Sequence, residues 1–226
     1  MKPQAKSLQT LVEEQCKKWE IEGVKRGRDS RKPVITVSRQ AGSMGRAVAK
    51  KISDETGMPV YGVSIIKRVA EDAGVRETVV RSLDEKSRSW LEEIIASWEG
   101  RDNIVADEFH RALVRVIGTI GRHGNAIILG RAGAFILPSS NNFRVRFIAP
   151  LSQRIGSFVR EFKLSPEEAE KRIHTVDADR KEFVKTHFGA DIDDPIHYDL
   201  VINGDSISPG EAVGIIRAAL ALNRKA

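Results

Sequence analysis

Five short runs, "VITVS", "PVYG", "NAIILG", "FRVRFIAP" and "DLVIN", punctuate the sequence, each apolar or β-branched and bounded by turn residues. Segments of helical length separate them. Strands that alternate with helices pair in parallel through right-handed crossovers, so the pattern predicts an α/β chain whose parallel sheet carries helices on both faces. A length of 226 residues suits one such core with a small appendage and falls short of two independent domains.

The helical segments carry their own end signals. "RAVAKKISDETG" stops at Gly57, which can adopt the left-handed cap conformation, and Pro59 blocks continuation. "SPGEAVGIIRAALAL" opens with Ser208, Pro209 and Glu211 in a capping-box arrangement. "IVADEFHRALVRVIGTIGRHGN" places Phe109, Leu113, Val116, Ile117 and Ile120 on one core-facing stripe. Near the N-terminus, Leu8, Leu11, Val12, Cys16 and Trp19 recur at near-helical spacing and precede the basic run "GVKRGRDSRKP". Residues 1–32 therefore read as an amphipathic helix and a solvated linker, and residues 33–226 as the α/β domain. The apolar stripe of that first helix makes a homodimer the candidate assembly.

Composition excludes several classes. Hydrophobic residues at 41% and charged residues at 30% fit a folded domain and argue against disorder. The longest apolar runs are too short to span a bilayer, and "MKPQAKSLQT" has no apolar signal core, so a cytoplasmic protein without a membrane partner is expected. The single cysteine excludes an internal disulfide, and no Cys/His cluster has metal-ligand spacing, so no protein metal site is expected. A net charge of +6 fits either nucleic acid or small molecules bearing several phosphates. The aromatic residues do not interleave with basic ones as on single-strand-binding surfaces, which argues against nucleic acid.

The stretch "VITVSRQAGSMGRAVAKKI" joins the first strand to a helix through a glycine-bearing turn. Such a turn can hold an anion, because the first N–H groups of the helix lack internal partners and its dipole is positive there. Gly42 and Gly45 let the backbone approach phosphate oxygens, and Ser43 offers a hydroxyl. Against G-x-x-x-x-G-K-[ST], only the second glycine matches, at Gly45; Gln40 holds the place of the first, Arg46 that of the lysine and Ala47 that of the hydroxyl. A phosphate-binding loop and a ligand-free βα turn both remain open on these residues. Arginine for lysine favours binding over catalysis, since a guanidinium grips phosphate in bidentate fashion but follows a moving phosphoryl group poorly.

Four motifs in order, "ITVSRQAGSMGR", "RSLDEKSRSWLEE", "AIILGRAGAFIL" and "HFGADIDDPIHYDLVIN", are similar to those of the cytidylate-kinase-like family of P-loop nucleoside monophosphate kinases. The resemblance runs from Pro33 to the C-terminal helix. It implies a P-loop NTPase fold with a five-stranded parallel sheet, ATP phosphates on the first loop, an acceptor nucleotide opposite and a helical lid over both. Gly42, Ser43, Gly45 and Arg46 match the ATP phosphate loop, where the family's usual residue at the last position is arginine. Arg131 matches the arginine that holds the acceptor's phosphate, and Lys86 is an acceptor contact in the second motif. Residues of about 163–190 resemble the lid, with Arg172, Arg180 and Lys181 as closing cations and Asp177 and Asp179 to orient them.

The resemblance implies phosphoryl transfer from ATP to a nucleoside monophosphate, CMP or dCMP first, with Arg46, Arg172 and Arg180 in catalytic roles. Magnesium would be held mainly by nucleotide and water, because Ala47 has no hydroxyl. Ala132 and Gly62 stand where the family has aspartates. They leave open a kinase for another small acceptor and an ATP-binding regulator without turnover.

Overall fold

The computed structural model describes residues 7–25, 33–99 and 107–223. Strands β1 (Val34–Arg39), β2 (Val60–Tyr61), β3 (Ala126–Leu129), β4 (Asn142–Ile148) and β5 (Leu200–Asn203) form one parallel sheet in the order β2-β3-β1-β4-β5. These are the five runs expected from the sequence. β1 and β3 are buried along Val34–Val37 and Ala126–Leu129, as central strands covered on both faces must be. β1 is flanked by β3 on one side and β4 on the other, so the loops leaving all three meet at one carboxyl edge, where open α/β sheets bind ligands.

Helices α1 (Leu8–Lys25), α2 (Gly45–Thr56), α3 (Val63–Glu71), α4 (Ala73–Arg81), α5 (Glu85–Glu99), α6 (Glu108–His123), α7 (Gly133–Ile136), α8 (Leu151–Phe162), α9 (Pro166–Phe188) and α10 (Pro209–Asn223) surround the sheet. One apolar layer joins Ile66, Leu91, Leu113, Ile117 and Ile128 beneath α3, α5 and α6. The other joins Val48, Ile52, Ala212 and Ile216 of α2 and α10 to Ile35, Val37 and Phe147. The helix ends follow the sequence signals: Gly57 caps α2 at φ 72°, and Ser208 and Glu211 exchange hydrogen bonds of 2.8 and 3.3 Å at the start of α10. The long stripe is α6, beginning after the Asp107 cap, with Leu113, Val116, Ile117 and Ile120 buried.

Helix α1 lies against α4 in its own chain. Val12, Cys16 and Trp19 are buried, and Trp19 stacks on His123 with ring centroids 4.1 Å apart. Much of the stripe offered above to a second chain is thus packed intramolecularly, while Leu11 remains exposed. Residues 26–32, the core of the expected linker, lie outside the described set. Among the described residues, no helix is long and apolar enough to cross a membrane.

A third, small cluster positions the site. Phe158 of α8 and Ala169 and Ile173 of α9 close on Ala41, a residue of the loop after β1. The α8–α9 pair therefore docks on that loop through its own apolar core. α9 is the expected lid segment, a single helix opened by a Ser165–Glu168 capping box and closed by Gly189 at φ 63°.

Candidate active site

The loop after β1 is braced from several sides. Gln40 N–H donates to the Phe147 carbonyl at 2.9 Å, and its side-chain Oε1 accepts from Ala149 N–H at 3.0 Å, which ties the loop to the end of β4. Gln40 in a glycine's place is thus a structural fastener. Gly42 has φ 80°, and a Cβ there would stand 2.7 Å from the Arg154 carbonyl, so only glycine fits beneath α8. Ser43 Oγ donates to the Gln40 carbonyl at 2.9 Å and so stabilises the turn itself. The first helical hydrogen bond of α2 is from Val48 N–H to the Met44 carbonyl, which leaves the N–H groups of Gly45, Arg46 and Ala47 without a partner in the helix.

α8 and α9 supply the charges around the loop. Asp177 Oδ1 accepts from Ala41 N–H at 2.8 Å, and its Oδ2 pairs with Arg154 Nη1 at 2.6 Å. Arg180 Nη1 donates to the Arg39 carbonyl at 2.9 Å and lies 3.5 Å from Asp177. Of the lid cations, Asp177 contacts Arg180; its shorter bond is to Arg154 of α8. Buried Arg146 donates to Ser38 Oγ at 2.8 Å and pairs with Asp193.

Two pockets meet at this edge. The outer one, of about 530 Å³, lies between the loop, α2 and α8; it includes Gly42, Ser43, Arg46, Lys50, Phe158 and Phe162. The inner one, of about 310 Å³, lies between the ends of β1 and β3 and helix α9; it includes Ser38, Val63, Arg131, Ala132, Phe135 and Phe183. Arg39 and Arg180 line both. Burial first, and the neighbouring guanidiniums of Arg180, Arg46 and Arg131 next, push Arg39 down to about 9. Burial lowers Arg180 and Arg131 too, with Asp177 and Glu71 respectively opposing the shift.

Arg131 follows β3 in a run of left-handed residues, Gly130, Arg131 and Ala132, at φ 81°, 52° and 53°. Two successive non-glycine residues in this region store strain, which a ligand site tolerates when its surroundings over-determine it. The Arg131 Nε is buried without a hydrogen-bond partner among the described residues.

The expected site residues divide. Gly42, Ser43, Arg46, Arg131 and Arg180 line the pockets, while Gly45 is buried beneath them at the helix start. Arg46 is 70% exposed and pairs with Glu161 at 2.7 Å on the outer lip, while its charge still reaches Arg39 and Arg180 at the junction. Arg172 sits over the Phe162 ring at 4.6 Å and lines neither pocket. Eight residues of α-helix rotate about 80° beyond whole turns, so Arg172 and Arg180 lie about 80° apart around α9. Lys86 is exposed on α5 and lines neither pocket, and Lys181 is tied to Asp191 and Asp193 at 3.3 Å. Sequence reading missed Arg39, Arg146 and Arg154. For Arg39 and Arg146, a basic residue within or ending an apolar strand, as in "VITVSR" and "FRVRF", was the available signal; Arg154 had none.

Comparison with known proteins bears on this arrangement. A family model described as the cytidylate kinase-like family matches residues 34–206. A cytidylate kinase of Pyrococcus horikoshii is 27% identical over 190 residues, covering 84% of this chain and 88% of the relative. One from Ignicoccus hospitalis is 26% identical over 188 residues, covering 83% and 98%. The solved structure of an uncharacterized protein from Eubacterium ventriosum superposes with a TM-score of 0.67 at 18% identity, covering 84% of this chain and 99% of that one.

Proposed function

The chain belongs to the cytidylate kinase-like family, and from that premise we propose that it is a cytoplasmic enzyme transferring the γ-phosphoryl of ATP to a nucleoside monophosphate, CMP or dCMP first. One observation carries the reading: two pockets, one on a βα loop and one on a strand-end arginine, share Arg39 and Arg180 at their junction. Phosphates of ATP on the loop would meet the first N–H groups of α2, and a monophosphate in the inner pocket would meet Arg131. Its phosphate oxygen then attacks the γ-phosphorus, and the bond to the bridging oxygen breaks with its electron pair leaving on ADP. The chain supplies positioning and charge, which is most of what such a transfer needs.

Magnesium fits this site only as a passenger of the nucleotide. Ser43 Oγ is committed to the Gln40 carbonyl, and the Asp177 carboxylate to Ala41 and Arg154. Among the described residues, no group of three metal-ligating side chains forms. The metal's contribution, neutralising charge on the transferred phosphates, would come through nucleotide and water. A second acceptor class is favoured by Ala132, which lines the inner pocket and offers no side-chain hydrogen bond to a base edge.

Product analysis tests the proposal, with magnesium, ATP and each of CMP, dCMP, UMP, AMP, GMP and a set of sugar phosphates. A nucleoside diphosphate is expected. Binding of ATP without any phosphorylated product would defeat the enzyme reading and leave the regulator, whereas product from a sugar phosphate alone would replace the acceptor.

A further inference from the structure

The loop lacks the lysine that would follow the phosphoryl group, and Arg46, in its place, faces Glu161. Some other cation must stand where the group passes. Arg39 lines both pockets, and its carbonyl receives Arg180 from the lid. Its stem is fixed between the start of α2 and β4, since a Cβ on Gly45 would lie 3.0 Å from Arg39 Cβ and 3.1 Å from the Phe147 ring. Its Nη1 fills the space that a side chain on Gly130 would occupy, so a glycine at the end of β3 makes the room for it. Among the described residues its guanidinium has no hydrogen bond or ion pair, and its charged neighbours are Arg180, Arg46, Arg131 and, more weakly, Asp177.

We propose that Arg39 is a catalytic residue of the transfer, its guanidinium holding the equatorial oxygens of the phosphoryl group as it passes from the outer pocket to the inner one. The inference rests on the phosphoryl-transfer reading above. Arg39 gives and takes no proton: one P–O bond breaks towards ADP, one forms to the acceptor's phosphate oxygen, and the fixed cation meets the charge spread between them. A structural arginine would instead have carbonyls or carboxylates around its fork, as Arg154 and Arg146 do. Burying a cation among cations destabilises the empty protein, which is expected of a group held ready for an anion.

Arg39→Gln, with Arg39→Lys as its conservative partner, tests the assignment in three measurements on the full chain. Turnover in Arg39→Gln is expected to fall about 10²-fold or more, the scale of losing one preorganised donor, with ATP affinity changed less than about tenfold. Arg39→Lys should recover part of it. The melting temperature without nucleotide should hold or rise in Arg39→Gln, whereas loss of a structural arginine lowers it. Calorimetry with ADP alone and with ADP plus aluminium fluoride, a mimic of the group in transit, should show a gain from fluoride in wild type that Arg39→Gln loses. Wild-type turnover with an unaffected variant, or with losses that track a lowered melting temperature, overturns the Arg39 role and leaves the kinase reading standing. Wild-type protein that makes no product and gains nothing from fluoride overturns both.

Discussion

The outer and inner pockets share a junction but treat charge in opposite ways. At the outer one, cations face carboxylates of their own chain: Arg46 meets Glu161 at 2.7 Å, and Lys50 meets Asp54 at 2.6 Å. At the inner one and at the junction, neither Arg131 nor Arg39 has an ion pair among the described residues, and both are lowered by burial. A cation already satisfied within its fold gains little from an added anion, whereas a desolvated and unpaired one gains a full partner. On the proposed reading, the difference assigns the grip on phosphate oxygens to the inner side and the junction, and the architecture of the loop to the outer side.

Arg180 stands where the two regimes meet, so its removal tests the contrast most severely. Arg180→Ala removes a junction cation and the bond from α9 to the Arg39 carbonyl. Turnover should fall about 10²-fold or more while ATP affinity, measured by calorimetry, stays within a few fold. A parallel loss of both would mean that the residue anchors the outer pocket only. Arg131→Lys probes the inner side alone. It keeps the charge and loses the planar fork, so acceptor affinity should drop about tenfold with ATP affinity unmoved. Equal losses for the two ligands would merge the pockets into one site.

The pH dependence of stability sharpens the contrast further. Arg39 is lowered to about 9, well below the usual guanidinium range. Below pH 9 folded and unfolded chains both carry this proton, and the penalty of burying the cation is full and constant. Above pH 9 the unfolded chain still binds the proton that the folded chain has released, so this group makes stability rise with pH until the unfolded guanidinium itself titrates. The Arg39→Gln variant lacks that rise. Urea unfolding at pH 8 and pH 10 should show its advantage over wild type shrinking, by at most about 1.4 kcal/mol per pH unit. A constant gap would mean that Arg39 keeps its ordinary protonation and has a counter-charge.

How much of this was legible in the sequence depends on how far apart the deciding residues lie. The strands and their parallel pairing follow from apolar runs between helical segments, and the caps at Gly57 and at Ser208 with Glu211 from signals within one turn. Arg131 could be placed because the end of β3 must point into the ligand crevice of such a sheet. Arg39 could not, because what frees its guanidinium is the bare Cα of Gly130 across the sheet, and what charges its surroundings is α9. Arg154 and Asp177 read as ordinary helix charges until α8 and α9 are packed together on Ala41. Arg172 reaches the Phe162 ring only once α9 is packed on α8, a contact that no local spacing announces.

Arg46 offers the smallest expected effect and the cleanest check on the paired side. As the residue at the lysine's place in the loop, it would be expected to carry much of the ATP affinity, because a hydrogen bond from a charged donor to phosphate contributes about 1.5–3 kcal/mol. Its geometry lowers that expectation. The side chain is 70% exposed and already joined to Glu161, itself 47% exposed, so solvent and a carboxylate both compete for the guanidinium. Binding phosphate there requires leaving Glu161, and the two contacts largely offset. Arg46→Ala should therefore change ATP affinity by less than about threefold and leave turnover nearly intact, with Glu161→Gln strengthening ATP binding slightly by releasing the arginine. A loss beyond about tenfold in Arg46→Ala would show that the side chain swings from Glu161 onto the nucleotide, and the outer pocket would then hold an unpaired cation of its own whenever ATP arrives.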